Sequence, residues 1–219
     1  MILLTKTGKP AILRLKSLQW TVDVLEYHVR KEKIPKVLFN KYNHKQVKLA
    51  LVDETNGKCA YCESKVTHVY PGDIEHIIPK SKFPDLAFDW ENLTFSCSIC
   101  NNLKSDYYDP TYPVVNPYFD IISRHITSSG SLIIHMPGSE RGELTHVLLQ
   151  LNRGDLIERR EEALQVFRKY LDSYAKATVP ILKDIYKKEI LGMVDPSKEF
   201  SFVLKNALDY FVLKGLVFH

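Results

Sequence analysis

Two Cys-X-X-Cys pairs constrain this chain more than any other feature of its sequence. Cys59-Ala-Tyr-Cys62 and Cys97-Ser-Ile-Cys100 are separated by the 34 residues 63–96, and each pair can place two thiolates on one tetrahedral ion from a tight turn. Two disulfides are the alternative use of four cysteines. The apolar run at residues 1–4 is too short for a signal peptide, so we expect a cytoplasmic protein, in which a zinc site is favoured over disulfides.

The predicted zinc is structural and not catalytic. Four sulfur ligands fill a tetrahedral site and leave no position for water or a substrate, so any catalytic residues must lie elsewhere. Structural zinc in finger-like sites contributes about 10–16 kcal/mol of apparent binding free energy, more than a core of roughly fifty residues supplies alone. Redox-active thiols are the competing interpretation of these cysteines.

The composition is that of an ordinary globular protein. Of 219 residues, 45% are hydrophobic, 26% are charged and only 9 are glycine, which argues against a disordered, collagen-like or disulfide-scaffold chain. No apolar run approaches the roughly 18 residues of a membrane-spanning helix, so we expect no membrane association. The length suits one domain with appended segments.

Hydrophobic periodicity divides the chain into four parts. Helices are predicted over 15–30, where Leu18, Val22, Leu25 and Val29 recur at helical spacing, and from an Asn43 cap to the stop signal Asn56-Gly57. Short strands at 66–69, 73–78 and 93–95 precede a short helix. A hairpin over 121–135 follows, and beyond residue 155 the pattern is helical, with Asp195-Pro196 capping the last helix. We therefore expect a basic helical arm (1–57), a zinc-bearing module (58–110), an irregular connector (111–154) and a C-terminal helical region (155–219).

The segment between the cysteine pairs resembles a known nuclease family. Glu75-His76-Ile-Ile-Pro79, Asn92-Leu93 and Asn101 are similar to the acidic-His-Pro strand, the central Asn and the helix-opening residue of HNH endonucleases, and the cysteines match the zinc-bearing branch of that family. The resemblance implies an α+β fold with a ββα-metal core, also called a His-Me finger. Glu75 stands where many members have Asp or His, and Asn101 replaces the final His.

The resemblance assigns a role to each matched residue. His76 is expected to be the general base, since an ordinary pKa of roughly 6.5 suits proton transfer near neutral pH. Glu75 and Asn101 are expected to bind a catalytic Mg²⁺ or Mn²⁺ through oxygen, and Asn92 to orient the loop that carries the base. Adjacent strand residues face opposite sides, so the joint use of Glu75 and His76 requires an irregular strand end.

Other polar residues near the motif have weaker assignments. Lys80, Lys82 and Lys104 are candidate phosphate contacts, although each could equally be an ordinary surface lysine. Asp73 and Glu63 are interpreted as solvent-facing or turn residues. The remaining histidines discussed here, His68, His125, His135 and His146, have no comparable setting and receive no role.

A wider resemblance extends beyond the motif. Asp109-Pro-Thr, Val115-Asn-Pro-Tyr118, Arg141-Gly142 and Leu151-Asn152-Arg153 are similar to segments of the PtuB-type nucleases of Septu and retron-linked antiphage defence systems. That resemblance implies a partner ATPase of the ABC/SMC type, PtuA-like, and a role as the nuclease effector. The group Arg153, Arg159 and Arg160 is interpreted as a solvated helix face in preference to a partner or nucleic-acid contact.

Charge distribution bears on how a nucleic acid would be held. Residues 1–58 contain 12 Lys/Arg and 5 Asp/Glu, a net +7, whereas residues 59–106 contain 4 and 7, a net −3. Phosphate affinity comes largely from lysine and arginine, so the arm or the ATPase would have to bind the substrate. DNA is preferred over RNA such as tRNA, and a non-catalytic zinc-ribbon adaptor for nucleic acid or protein is the alternative from another class.

Overall fold

The chain's architecture is given by a computed structural model that describes residues 1–67 and 70–216. In these residues helices are combined with two separate two-stranded antiparallel sheets, which confirms the expected α+β class. No helix in the described ranges is long and apolar enough to cross a bilayer. The elements, in chain order, are α1 (Ala11–Val29), α2 (Lys36–Phe39), α3 (Lys45–Glu54), β1 (Asp73–His76), β2 (Leu93–Ser96), α4 (Ser98–Lys104), β3 (Ile126–Ser129), β4 (Leu132–His135), α5 (Glu140–Leu148), α6 (Gly154–Lys176), α7 (Pro180–Met193) and α8 (Ser201–Leu213).

A ββα unit forms the centre of the molecule. Strands β1 and β2 pair antiparallel, with Asp73 opposite Ser96 and His76 opposite Leu93, and α4 begins two residues after β2. Gly72 enters β1 with φ +66°, and a Cβ there would lie 2.1 Å from Cζ of Phe95. Only glycine therefore allows the chain to approach β2 this closely before it pairs.

The predicted strands are confirmed in part. The strand predicted at 73–78 ends at His76, and the one at 93–95 extends to Ser96. The strand predicted at 66–69 is not formed at Val66 and Thr67. His68 and Val69 lie outside the described residues.

The N-terminal segment is packed into the module and is not a separate arm. The Lys6 ammonium lies 4.2 Å from the Trp90 ring centroid and pairs with Glu54 at 3.1 Å. The Trp90 indole N–H donates to the Thr7 carbonyl oxygen at 2.9 Å. Part of the basic charge of residues 1–58 is thus buried as structural ion pairs, which reduces what is available for phosphates.

The helix predicted over 15–30 is present as α1, which starts at Ala11, and its two apolar faces have different surroundings. Leu13 and Val24 are fully buried, and Trp20 packs edge-to-face on Phe88 with ring centroids 5.5 Å apart. The predicted stripe lies on the other side, with Leu18 80% exposed. Periodicity identifies a helix, but it does not tell which of two apolar faces meets the core.

The C-terminal helices pack behind the cysteine module. Arg160 of α6 is 2% exposed, and its guanidinium donates to the carbonyl oxygens of Leu151 at 2.7 Å and Ser131 at 3.3 Å. The interpretation of this arginine as part of a solvated face is wrong, because its N–H groups satisfy one carbonyl in the turn before α6 and one in the turn between β3 and β4. Arg159 does face solvent and pairs with Glu199 at 3.2 Å.

Two further boundaries differ from expectation. Helix α3 is capped by His44, whose Nδ1 accepts from the Gln46 N–H, and not by Asn43. Helix α8 begins at Ser201 because Phe200 adopts a left-handed conformation with φ +55°, so the Asp195-Pro196 segment forms a separate turn. The predicted hairpin is present as β3 and β4, paired from Ile126 opposite His135.

Candidate active site and metal centre

Four thiols converge where two turns meet. Cys59 and Cys62 lie in the turn after α3, where the Glu63 N–H donates to the Cys59 carbonyl oxygen at 3.0 Å. Cys97 caps α4, and its sulfur accepts from the Cys100 N–H at 3.4 Å. All four sulfurs lie within 4.8 Å of one another.

The cluster has the dimensions of a zinc site. Sulfurs held about 2.3 Å from one tetrahedral ion lie about 3.8 Å apart, and the sulfurs of Cys62 and Cys97 are 3.9 Å apart. The four cysteines are free thiols and not disulfides. Hydrogen bonds among the thiols lower the pKa of Cys62 well below its ordinary value and raise that of Cys100 well above it, while burial raises that of Cys59.

His76 ends β1 and is almost completely enclosed. Its Nε2 lies 3.0 Å from the Ala87 carbonyl oxygen, which can only accept, so Nε2 carries the proton and Nδ1 keeps a lone pair. The Tyr42 ring meets the imidazole edge-to-face with centroids 4.5 Å apart. Burial lowers the pKa of His76 to about 3, and the imidazole is neutral at physiological pH.

Asn92 holds the loop between the two strands. Its Oδ1 accepts from the Ile78 N–H at 2.7 Å, and its Nδ2 donates to the carbonyl oxygens of Ile78 at 2.9 Å and Leu86 at 3.2 Å. All the hydrogen bonds of the amide therefore go to the backbone at both ends of the loop. Ala87, the partner of His76, follows Leu86 directly, so this clamp fixes the carbonyl that orients the imidazole.

Strand β1 and helix α4 face each other through two polar pairs. Asn101 Nδ2 donates to Asp73 Oδ2 at 3.1 Å, and Lys104 Nζ lies 2.7 Å from Glu75 Oε1. The spacing explains the pairing, because residues two apart on a strand share a face and residues three apart on a helix do too. Burial raises the pKa of Glu75 to about 7, although Lys104 lowers it.

These pairs bear on which residues could hold a divalent cation. The hydrogen bond of Asn101 goes to Asp73 and not to Glu75, the ligand partner predicted for it. Asp73 and Asn101 also line an open cleft of about 500 Å³ together with Tyr42, Asn43, Lys48 and Tyr70. Carboxylate and amide oxygens at one cleft wall suit Mg²⁺ or Mn²⁺, and the donor set fits a cation when Asp73 is included.

The three candidate phosphate lysines have different environments. Lys82 is exposed. Lys80 lies over the Tyr42 ring at 4.0 Å and donates to Asn40 Oδ1 at 3.0 Å, and burial lowers its pKa to about 8. Lys104 is 1% exposed and also donates to the His76 carbonyl oxygen at 2.8 Å. As a phosphate contact Lys104 is a wrong assignment, because its ammonium is enclosed between Glu75 and the backbone.

Comparison with known proteins identifies the module. Residues 59–107 match the family of HNH endonucleases. This segment is an HNH domain. The chain is 34% identical to Septu protein PtuB of Bacillus thuringiensis over 50% of its own length and 42% of the relative's. It is 29% identical to Septu protein PtuB of Bacillus mycoides (strain KBAB4) over 73% of its own length and 66% of the relative's. The aligned region therefore covers less than two thirds of either relative.

Two residues at the candidate site, Asp73 and Tyr42, were left out by sequence reasoning. Asp73 was interpreted as a solvent or turn residue, yet it stands beside Asn101 at the cleft. Its position two residues before Glu75 on a strand was the available signal, since it places both carboxylates on one face. Tyr42 lies outside the motif, and nothing local marks its contact with His76.

Proposed function

We propose that this protein is a metal-dependent HNH endonuclease that hydrolyses phosphodiester bonds in DNA. The observation that carries the proposal is the fixed tautomer of His76. The Ala87 carbonyl holds the proton on Nε2, so Nδ1 is a neutral base. A base in this state can accept a proton from an attacking water without first losing one of its own.

The residues around His76 prepare it for that step. Asn92 clamps the loop that supplies the Ala87 carbonyl, and the Tyr42 ring restrains the imidazole from one side. The water that loses its proton to Nδ1 attacks phosphorus, the bond from phosphorus to the 3′ oxygen breaks, and that oxygen takes a proton from solvent water, giving a 5′-phosphate and a 3′-hydroxyl. Asn92 is thus a positioning residue and His76 the catalytic base.

We keep Glu75 and Asn101, the predicted ligands of the catalytic cation, and add Asp73. Mg²⁺ or Mn²⁺ would be held by the oxygens of Asn101 and Asp73 at the cleft and by Glu75 one step along β1. When bound, the cation would neutralise charge that grows on the phosphate and the leaving oxygen. Lys104 keeps the Glu75 carboxylate in place through their 2.7 Å ion pair.

Phosphate binding is assigned to the segment that borders the cleft. Residues 30–48 contain seven Lys/Arg and one Asp/Glu, a net +6, and this segment carries Tyr42, Asn43 and Lys48 of the cleft wall. Lys80 rests on Tyr42 beside it. We therefore assign phosphate binding to residues 30–48 and not to the whole arm 1–57. Lys6 of that arm and Lys58 directly after it are buried in ion pairs and cannot reach a phosphate.

A role in antiphage defence follows from the relatives named Septu protein PtuB. We propose that the chain is the nuclease effector of such a system and acts with a PtuA-like ATPase. Structural zinc on Cys59, Cys62, Cys97 and Cys100 would hold the HNH domain together.

The experiment is cleavage by the purified zinc-loaded protein with Mg²⁺ or Mn²⁺, on supercoiled plasmid and total tRNA in parallel. We expect plasmid cutting that requires the added cation and leaves 5′-phosphate ends. Asp73→Asn should weaken Mn²⁺ binding measured by electron paramagnetic resonance, whereas Asp106→Asn, an exposed carboxylate after α4, should not. Cutting of tRNA alone would replace DNA by RNA as the substrate. If neither plasmid nor tRNA is cut, even with the ATPase present, the protein is not a nuclease and the zinc-ribbon adaptor becomes the better interpretation.

A further inference from the structure

Helix α1 has two apolar faces, and only one of them is used within the chain. Leu13, Trp20 and Val24 pack inward. The opposite face carries five aliphatic residues, which we call the α1 stripe: Leu15, Leu18, Val22, Leu25 and Val29. Four of them are exposed, by 77% (Leu15), 80% (Leu18), 45% (Val22) and 78% (Val29). An apolar stripe on a helix normally packs against another element, and this one is left open to solvent in the single chain.

The spacing of the α1 stripe is that of a helix-pairing seam. Its members follow one another at steps of three, four, three and four residues, the alternation of a and d positions in a coiled coil. The groove beside Val22, Leu25 and Val29 has a volume of about 360 Å³ and is lined almost entirely by carbon. The stripe therefore has the shape and chemistry to receive another helix.

The charges beside the stripe indicate which helix it receives. The exposed Lys16 lies toward the beginning of α1, and the exposed Glu26, which also pairs with Arg30 of the same helix at 3.5 Å, lies toward its end. When two copies of α1 lie antiparallel with Leu18 opposite Val22, Lys16 of each copy faces Glu26 of the other. In a parallel pair Glu26, at an e position, would face Thr21 of the other copy at a g position, and Lys16, at a b position, would face solvent, so neither charge would be paired across the seam.

We propose that α1 pairs antiparallel with α1 of a second copy of this chain, through the α1 stripe and about a two-fold axis. Such a contact is isologous, so each Lys16–Glu26 attraction occurs twice. The stripe extends about 21 Å along the helix, at 1.5 Å per residue. An interface of this size is at the small end of specific contacts, and we expect a micromolar dimer.

The pairing has a consequence for the HNH domain. Trp20 of α1 packs on Phe88, which follows Ala87, the partner of His76. Pairing of α1 would therefore hold two HNH domains at a fixed separation. The proposal does not rest on nuclease activity, because a dimer forms or fails to form whether or not the protein cuts.

The test is sedimentation velocity of the full chain from about 1 to about 200 µM, a range that brackets the affinity expected of a small interface. We expect a concentration-dependent shift from 25.3 kDa toward twice that mass. Leu18→Glu should remain monomeric at every concentration. The control Leu213→Glu changes a leucine of α8 that is 85% exposed and should dimerise as the wild type does. A wild type that stays monomeric throughout would overturn the proposal.

A charge exchange tests the orientation. Lys16→Glu should weaken the dimer about fivefold, because two exposed pairs at roughly 0.5 kcal/mol each are lost. Adding Glu26→Lys to it should restore the wild-type dissociation constant. Both side chains are exposed, so circular dichroism should show unchanged folding. Failure of the double variant to recover would contradict the antiparallel arrangement.

Discussion

The Lys104 ammonium lies 2.7 Å from the Glu75 carboxylate, and both side chains are almost fully removed from solvent. The same ammonium donates to the His76 carbonyl oxygen at 2.8 Å. One lysine of α4 therefore fixes both the predicted acidic ligand and the end of the strand that carries the base. The positions of Glu75 and His76 therefore depend on how α4 packs against β1.

Lys104→Met should destabilise the protein by about 1–3 kcal/mol, because the buried Glu75 carboxyl, whose pKa is already about 7, takes up a proton and the His76 carbonyl oxygen loses its donor. Urea denaturation at pH 7 measures the effect. The double variant Lys104→Met with Glu75→Gln should recover a substantial part of the loss. If the single variant unfolds at the wild-type urea concentration, the ion pair is not a structural element.

Cys97→Ser should abolish zinc retention and unfold the HNH domain, because three sulfurs leave the site incomplete and the small core depends on it. Zinc content by atomic emission and thermal denaturation by circular dichroism would report both changes. Ser98→Ala, at the adjacent position on α4, is the matched control and should keep its metal. Equal melting temperatures for the wild type and Cys97→Ser would disprove the structural role of zinc.

Asn92→Ala should release the loop between β1 and β2. The change leaves the Ile78 N–H and the Ile78 and Leu86 carbonyls without their partner, at a cost of roughly 1–3 kcal/mol for each buried group that stays unpaired. Cleavage should fall through kcat with little change in KM, because the base is misplaced while the basic segment is intact. A variant with wild-type kcat would show that Asn92 does not position His76.

Asp120 gives the stability of the connector a pH dependence. Burial alone would raise the pKa of Asp120, but hydrogen bonds from Arg141 and from the Asn116 N–H lower it below its ordinary 3.8. The stabilisation is therefore present above pH 3.8 and is lost as the pH falls through the lower, folded-state value. Asp120→Asn should unfold more readily than wild type at pH 6, and the difference should shrink steadily as the pH falls below 3.8; a difference that stays constant down to the lowest pH measured would contradict the argument.

How far the sequence predicts this structure differs from site to site. The convergence of the four cysteines could be predicted from the sequence. Each Cys-X-X-Cys spacing favours a tight turn that places two thiols together, and four thiols suit one tetrahedral ion. The contact between His76 and Ala87 could not be predicted, since the partner is a backbone carbonyl and any residue supplies one. Lys104 looked like a surface lysine because a sequence does not show that α4 turns it toward Glu75. Periodicity identifies the α1 stripe, but it does not specify what a helix face packs against.

The central claim is that His76 is the base of a metal-dependent nuclease, and single-turnover cleavage of plasmid by wild type and His76→Ala tests it most directly. We expect the variant to keep the wild-type melting temperature within a few degrees and its zinc, and to lose cleavage by about 10²–10⁴-fold, the usual contribution of a positioned base. Leu213→Glu, remote from the site, should cut at the wild-type rate. A folded His76→Ala protein that cuts as fast as wild type would contradict the account.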